Sequence, residues 1–162
     1  MTIPSAIDSK WANLRIGITG AKGSFGKSLT KVLSAKGAYI IGLTHGDTKS
    51  IVKSQEMPKE WVQWKCGEEF KLRDIFSNLD ILIINHGINH QGRQSNKDLN
   101  EAIEINALSS WRLIENFQLT SLQEKSKSKP REVWVNTSEA EIQPALSPAY
   151  ELSKRLIGQL VS

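Results

Sequence analysis

Tyr150 and Lys154, in "YELSK", stand four residues apart, which on a helix puts both side chains on one face, a turn apart. A phenol ordinarily releases its proton near pH ~10, and an ammonium close by favours the phenolate. Such a pair suits proton exchange with an oxygen whose charge changes, for instance the oxygen of a carbonyl carbon that gains or loses hydride. On its own the spacing describes many exposed helix pairs, so the chemistry depends on what else the chain brings to it.

A second stretch bears on phosphates. "TGAKGSFGKS", Thr19 to Ser28, reads in two ways. From Ala21 it is A-x-x-x-x-G-K-S, a relaxed phosphate loop in which Lys27 would reach nucleotide phosphates and Ser28 would hold Mg²⁺. From Gly20 it is G-x-x-G-x-x-G, with Gly20, Gly23 and Gly26 placed as in a dinucleotide-binding turn. Both aim backbone N–H groups of a strand-to-helix turn at phosphate. The first reading also needs an acidic residue at the carboxyl end of a second strand, to hold the metal. The candidate strands end in "GLTH", "QWKC", "INHG" and "VNTS", and Asp80 stands at the wrong end of its strand. The dinucleotide turn is therefore the stronger reading, with a phosphate-loop nucleotide hydrolase as the remote alternative.

The elements that must position these residues alternate along the chain. "LRIGIT" (Leu14 to Thr19) feeds the glycine turn as a buried strand, and "GKSLTKVLSAKG" follows as a helix ending at Gly37. Next come "AYIIGLTH" as a strand, a short polar helix near Asp47 to Glu56, "EWVQWKC" as a third strand ending near Cys66, and "EEFKLRDIFSNL" as a helix. "DILIINHG" is the most strand-like run. A long helix spans about Lys97 to Leu119, followed by a solvated basic loop, "EKSKSKPR", a fifth strand, "EVWVNTS", and a last helix from about Ala149. This alternation predicts an α/β fold: a three-layer, doubly wound parallel sheet of Rossmann type, strand order 3-2-1-4-5, with ligand at the carboxyl ends of the strands where the order reverses. Residues 1–162 read as a single domain.

On these motifs the chain resembles the short-chain dehydrogenase/reductase family. "TGAKGSFG" looks like the family's cofactor loop. "INHG" stands in the place of the family's N-N-A-G, with Asn85 and Gly87 matching and Ile84 and His86 departing. "IEINALSSW" puts Asn106 where the family has a helix asparagine, "VNTS" puts Ser138 at the end of the fifth strand, and "YELSK" matches Y-x-x-x-K. The resemblance implies catalytic roles for Tyr150 as general acid and base, Lys154 as the charge that supports it and binds the nicotinamide ribose, Ser138 as hydrogen-bond partner of the substrate oxygen, and Asn106 as holder of a proton-relaying water. Thr137 competes with Ser138, since the two lie thirteen and twelve residues before Tyr150. Measured against the family, the sequence lacks the later strands and the substrate-covering segment, which raises a second functional class, a dinucleotide-binding module without turnover.

The cofactor implied is a nicotinamide dinucleotide, held by Gly20, Lys22, Gly23, Ser24, Phe25, Gly26, Thr44, His45, Asn85, His86 and Gly87 together with Tyr150 and Lys154. An acidic residue usually ends the second strand of an NAD enzyme and binds the adenosine ribose. Here Thr44 and His45 stand in its place, Asp47 comes two residues late, and Lys22, Thr48 and Lys49 are available to a 2′-phosphate. NADP(H) is the expected cofactor, with a small carbonyl or alcohol as substrate.

The totals agree with this class. Hydrophobic residues make up 39% and charged residues 23%, as in ordinary globular chains. The net charge of +4 is spread out rather than gathered with aromatic residues, so no nucleic-acid partner is expected. One cysteine, Cys66, fits a reducing compartment, and no run of about 18 apolar residues suggests a membrane span, so the expected location is cytoplasmic. His45, His86 and His90 share no metal-ligand spacing, and no metal is expected. The open sheet edge predicts a homo-oligomer.

Overall fold

The computed structural model describes residues 10–48, 57–91, 95–123 and 131–162. Five strands, β1 (Arg15–Thr19), β2 (Tyr39–Thr44), β3 (Glu60–Gln63), β4 (Ile81–Ile84) and β5 (Glu132–Val135), form one parallel sheet in the order β3-β2-β1-β4-β5, as the alternating pattern predicts. Side chains alternate between the two faces of each strand. Ile16 and Ile18 of β1 therefore join Ile40, Ile81 and Ile83 on one face, against Leu33 of helix α1 (Ser24–Ala35). On the other face Ile41, Leu43, Leu82 and Ile84 meet Phe76 of α2 (Arg73–Ser77) and Leu113, Ile114 and Phe117 of α4 (Ser109–Gln123). β4 is buried at all four positions, which is why a run of isoleucine and leucine without polar alternation stands there.

Local chemistry explains the element ends. α1 stops because Gly37, at φ 94°, takes the left-handed conformation and lets Ala38 N–H bond back to the Leu33 carbonyl at 3.1 Å. α3 (Asn96–Ile103) starts at a capping box, in which the Ser95 hydroxyl accepts from Asp98 N–H and the Asp98 carboxylate accepts from Ser95 N–H. α5 (Pro148–Val161) opens on a proline, whose missing N–H costs nothing in a first turn.

Four expectations need correction. The long helix is not continuous: α3 and α4 are joined by a wider π-helical turn, Glu104–Leu108, that contains Asn106. The helix at 68–79 is a 3₁₀ turn, Glu69–Leu72, followed by the short α2, because buried Glu69 takes hydrogen bonds from Arg112 that tie the turn to α4. β3 ends at Gln63, so Cys66 lies beyond it, with its thiol 3.4 Å from His45 Nε2. Arg131, read as the end of a solvated loop, is folded in: its guanidinium donates to the Leu79 and Phe76 carbonyls and to Ser121 Oγ. The polar helix near 47–56 and the rest of the basic loop lie outside the described residues, apart from Asp47 and Thr48.

Candidate active site

The glycine turn sits at the carboxyl end of β1. Gly20 has φ +64°, and a Cβ there would stand 3.0 Å from the Asn85 carbonyl oxygen and the His86 Cα. At Gly26 a Cβ would come within 2.4 Å of the Gly20 carbonyl oxygen, so only glycine lets α1 start this close to the strand. Gly23 caps α1, and the first turn of the helix opens on a cleft of about 400 Å³. Of the cofactor residues read from the sequence, Gly20, Gly23, Ser24, Phe25, Thr44, His45, Asn85, His86 and Gly87 line that cleft. Lys22 stands beside it, its ammonium bonded to the Asp47 carbonyl and 5.9 Å from the Trp61 ring centre. Lys49 lies outside the described residues. Lys27 and Ser28 are on exposed positions of α1 away from the cleft, and Ser28 Oγ donates to the Ser24 carbonyl. The phosphate-loop reading thereby loses its two chemistry-bearing side chains.

His86 departs from the family's alanine, and the structure gives it a place. Thr19 Oγ1 accepts from Asn85 N–H at 2.8 Å and His86 N–H at 3.2 Å, which fills its lone pairs. Thr19 Oγ1 also lies 2.9 Å from His86 Nδ1 and donates to the Ile83 carbonyl at 3.4 Å. Burial, with help from His45, pushes the His86 pKa down to about 3, so the ring is neutral near pH 7. His86 packs edge-on to buried Trp64, and His45 lies over the same indole with ring centres 4.3 Å apart. Burial lowers the His45 pKa as well.

The second group of residues gathers where β4, β5 and α5 meet. Ser138 and Tyr150 line one cleft of about 490 Å³; Thr137 is not among its lining residues. Ser138 Oγ also accepts from Ala140 N–H at 3.3 Å, starting the 3₁₀ turn Glu139–Glu141. Lys154 is buried, with Nζ 3.2 Å from the Asn136 carbonyl and 5.7 Å from the centre of the Tyr150 ring. Burial holds its pKa below the usual lysine value. Asn106 is buried in the π turn: Oδ1 accepts from Ile88 N–H at 2.7 Å, and Nδ2 donates to the Ile88 carbonyl and Ser153 Oγ, both at 2.9 Å. Its side chain thus fastens the segment after β4 to α5.

Thr19, Asn136 and Ser153 were not singled out from the sequence. Asn136 Nδ2 donates to Asn85 Oδ1 at 2.8 Å, so it joins the ends of β4 and β5 while its carbonyl holds Lys154. The only sequence signal for Asn136 and Ser153 is their position inside "VNTS" and "YELSK". The segment Asn85–Asn89 lines both clefts in turn, Asn85 to Ile88 on the glycine side and Asn89 on the tyrosine side.

Residues 16–156 match the model of the NAD dependent epimerase/dehydratase family. The chain belongs to that family. It is 40% identical over 150 residues to the monoglucosyldiacylglycerol epimerase of Synechocystis sp., which covers 91% of this chain and 36% of that protein, so the chain spans little more than a third of this relative's length. Its fold matches that of an NADH-dependent reductase solved with NAD, at a TM-score of 0.79 and 18% identity over 94% of this chain and 71% of the other. An Agrobacterium tumefaciens protein solved with bound NADP matches at a TM-score of 0.77 and 20% identity, over 92% and 63%. These likenesses show the Rossmann fold expected from the glycine turn and the strand order.

Proposed function

We propose that the chain binds NADP(H) across the carboxyl ends of β1, β2 and β4 and supports hydride transfer at a secondary alcohol or carbonyl carbon. The observation that carries this reading is the joining of two clefts by Asn85–Asn89, with the glycine turn on one side and Ser138 and Tyr150 on the other. The glycine cradle fits a pyrophosphate, since Gly20 and Gly26 clear the space beside the first N–H groups of α1. When bound, the nicotinamide accepts or supplies the hydride.

The chain's own residues handle the proton and the oxygen. Ser138 Oγ stands in the substrate cleft as a hydrogen-bond partner for the reacting oxygen. Tyr150 gives its proton to that oxygen when the carbon gains hydride and takes it back when the carbon loses hydride. Lys154 favours the phenolate by its charge. Asn106 holds Ile88 and α5 in register, which fixes the distance between the two clefts. The preference for the 2′-phosphate form is supported by Lys22, whose ammonium reaches from the glycine turn to Asp47 just after β2, and by Thr44 and His45 in place of a carboxylate that would repel it.

The relative's name suggests the substrate class, a sugar hydroxyl on a glycolipid, where oxidation followed by hydride return to the opposite face inverts the carbon. The rim of the substrate cleft suits an apolar aglycone, since Pro144, Ala145 and the fully exposed Leu146 line it. Tyr150→Phe provides the test. It should lower epimerisation of monoglucosyldiacylglycerol, or reduction of a carbonyl panel, by about 100-fold or more while leaving NADPH affinity unchanged. Undiminished turnover in Tyr150→Phe would contradict the mechanism. Binding of NADPH without turnover of any of these substrates by the parent chain would favour a non-catalytic module.

A further inference from the structure

Lys154 carries a charge in a buried place, and its hydrogen-bond partner, the Asn136 carbonyl, is neutral. One helical turn further along α5 the chain has Gly158, also buried. Against this glycine lies the side chain of Glu141, from the 3₁₀ turn that follows β5. A Cβ at position 158 would stand 2.3 Å from Glu141 Oε1 and 2.4 Å from its Cδ. The turn that delivers the carboxylate is anchored on the substrate-side hydroxyl residue, since Glu141 N–H bonds to the Ser138 carbonyl at 2.9 Å.

We infer that Glu141 is the counter-charge of Lys154, seated in a notch that Gly158 leaves open in α5. The titratable groups placed about Lys154 are Tyr150, one turn before it on α5, His86 at the end of β4, and Glu141, whose carboxylate lies against Gly158 one turn after it. His86 is neutral and only lowers its own proton affinity in response to the ammonium, so Glu141 is the anion of the group. Burial works against the ammonium and the Glu141 carboxylate works for it. Glu141 is thus a positioning residue that acts through Lys154: it favours the charged ammonium that the Tyr150–Lys154 couple, as read under Proposed function, needs.

Two substitutions remove the carboxylate in different ways. Glu141→Gln keeps its shape and loses its charge. Gly158→Ala fills the notch, and the flexible glutamate side chain swings out, leaving the backbone in place. The readout is the titration of Lys154 in the full chain labelled with ¹³C-lysine, following the Cε resonance assigned by its loss in Lys154→Arg. The midpoint of Lys154 should fall by roughly half a unit or more in both variants, the size expected of a partly screened charge nearby. An unchanged midpoint in Glu141→Gln overturns the inference, even if Gly158→Ala shifts it through packing. The titration requires neither substrate nor turnover, so its outcome is independent of the Tyr150→Phe test of the hydride-transfer reading.

Discussion

His86 shows how one departure from a family pattern reorganises its surroundings. A neutral imidazole wedged between Thr19 and Trp64 occupies the space an alanine would leave at the cofactor cleft, and its folded-state pKa of about 3 lies below the unfolded value of 6.5. Between these values the unfolded chain binds a proton that the folded chain refuses. Stability is therefore full above about pH 6.5 and falls as the pH drops towards 3. From pH 7 to pH 5 the His86 contribution is a loss of roughly 2 kcal/mol. Urea unfolding at both pH values should show this loss shrinking by about that amount in His86→Ala; identical losses in the two proteins would show that His86 is not the group responsible. His45, whose pKa burial also lowers, remains in both proteins. At this scale the candidate residues Tyr150, Lys154 and Ser138 were readable from the sequence because they sit in short motifs. Thr19, Asn136 and Glu141 were not, because each acts through a contact with a residue distant in the chain, and no local pattern records such contacts.

At the scale of elements, the π turn Glu104–Leu108 is the feature that periodicity missed. Apolar residues recur at helical spacing on both sides of it, so an extra residue in one turn leaves the pattern almost intact. Its effect is large, since the turn delivers Asn106 to Ile88 and Ser153. Arg112, paired with Glu69 and Glu104, ties the turn to the segment after β3. Asn106→Ala leaves the Ile88 N–H and carbonyl and the Ser153 hydroxyl without this partner and should cost roughly 2–3 kcal/mol in chemical denaturation. A change below about 0.5 kcal/mol, within the usual range of surface substitutions, would show that the clamp is not structural. The glycine turn behaves differently. Gly26→Ala should be strongly destabilising, because the clash would be with backbone at Gly20 and Ala21, which cannot swing aside. A thermal melt within a degree of the parent would contradict that.

For the molecule as a whole, the strand order and the faces of the sheet were legible, because parallel strands buried on both faces read as apolar runs and right-handed crossovers leave few topologies. Among the described residues no helix is long and apolar enough to cross a membrane. The choice of cofactor was less legible, since the residues that would meet the adenosine end come from three segments, at Lys22, at Thr44–Asp47 and after β4. The central claim is that this cleft holds a nicotinamide dinucleotide and prefers the 2′-phosphate form. The direct measurement is a parallel titration of the 162-residue chain with NADPH, NADH and Mg-ATP, following tryptophan quenching and energy transfer to the nicotinamide. Saturable binding of NADPH, tighter than NADH, absent for ATP and weakened by Lys22→Ala, is the predicted result. Binding of ATP alone, or of neither nicotinamide dinucleotide, would contradict it.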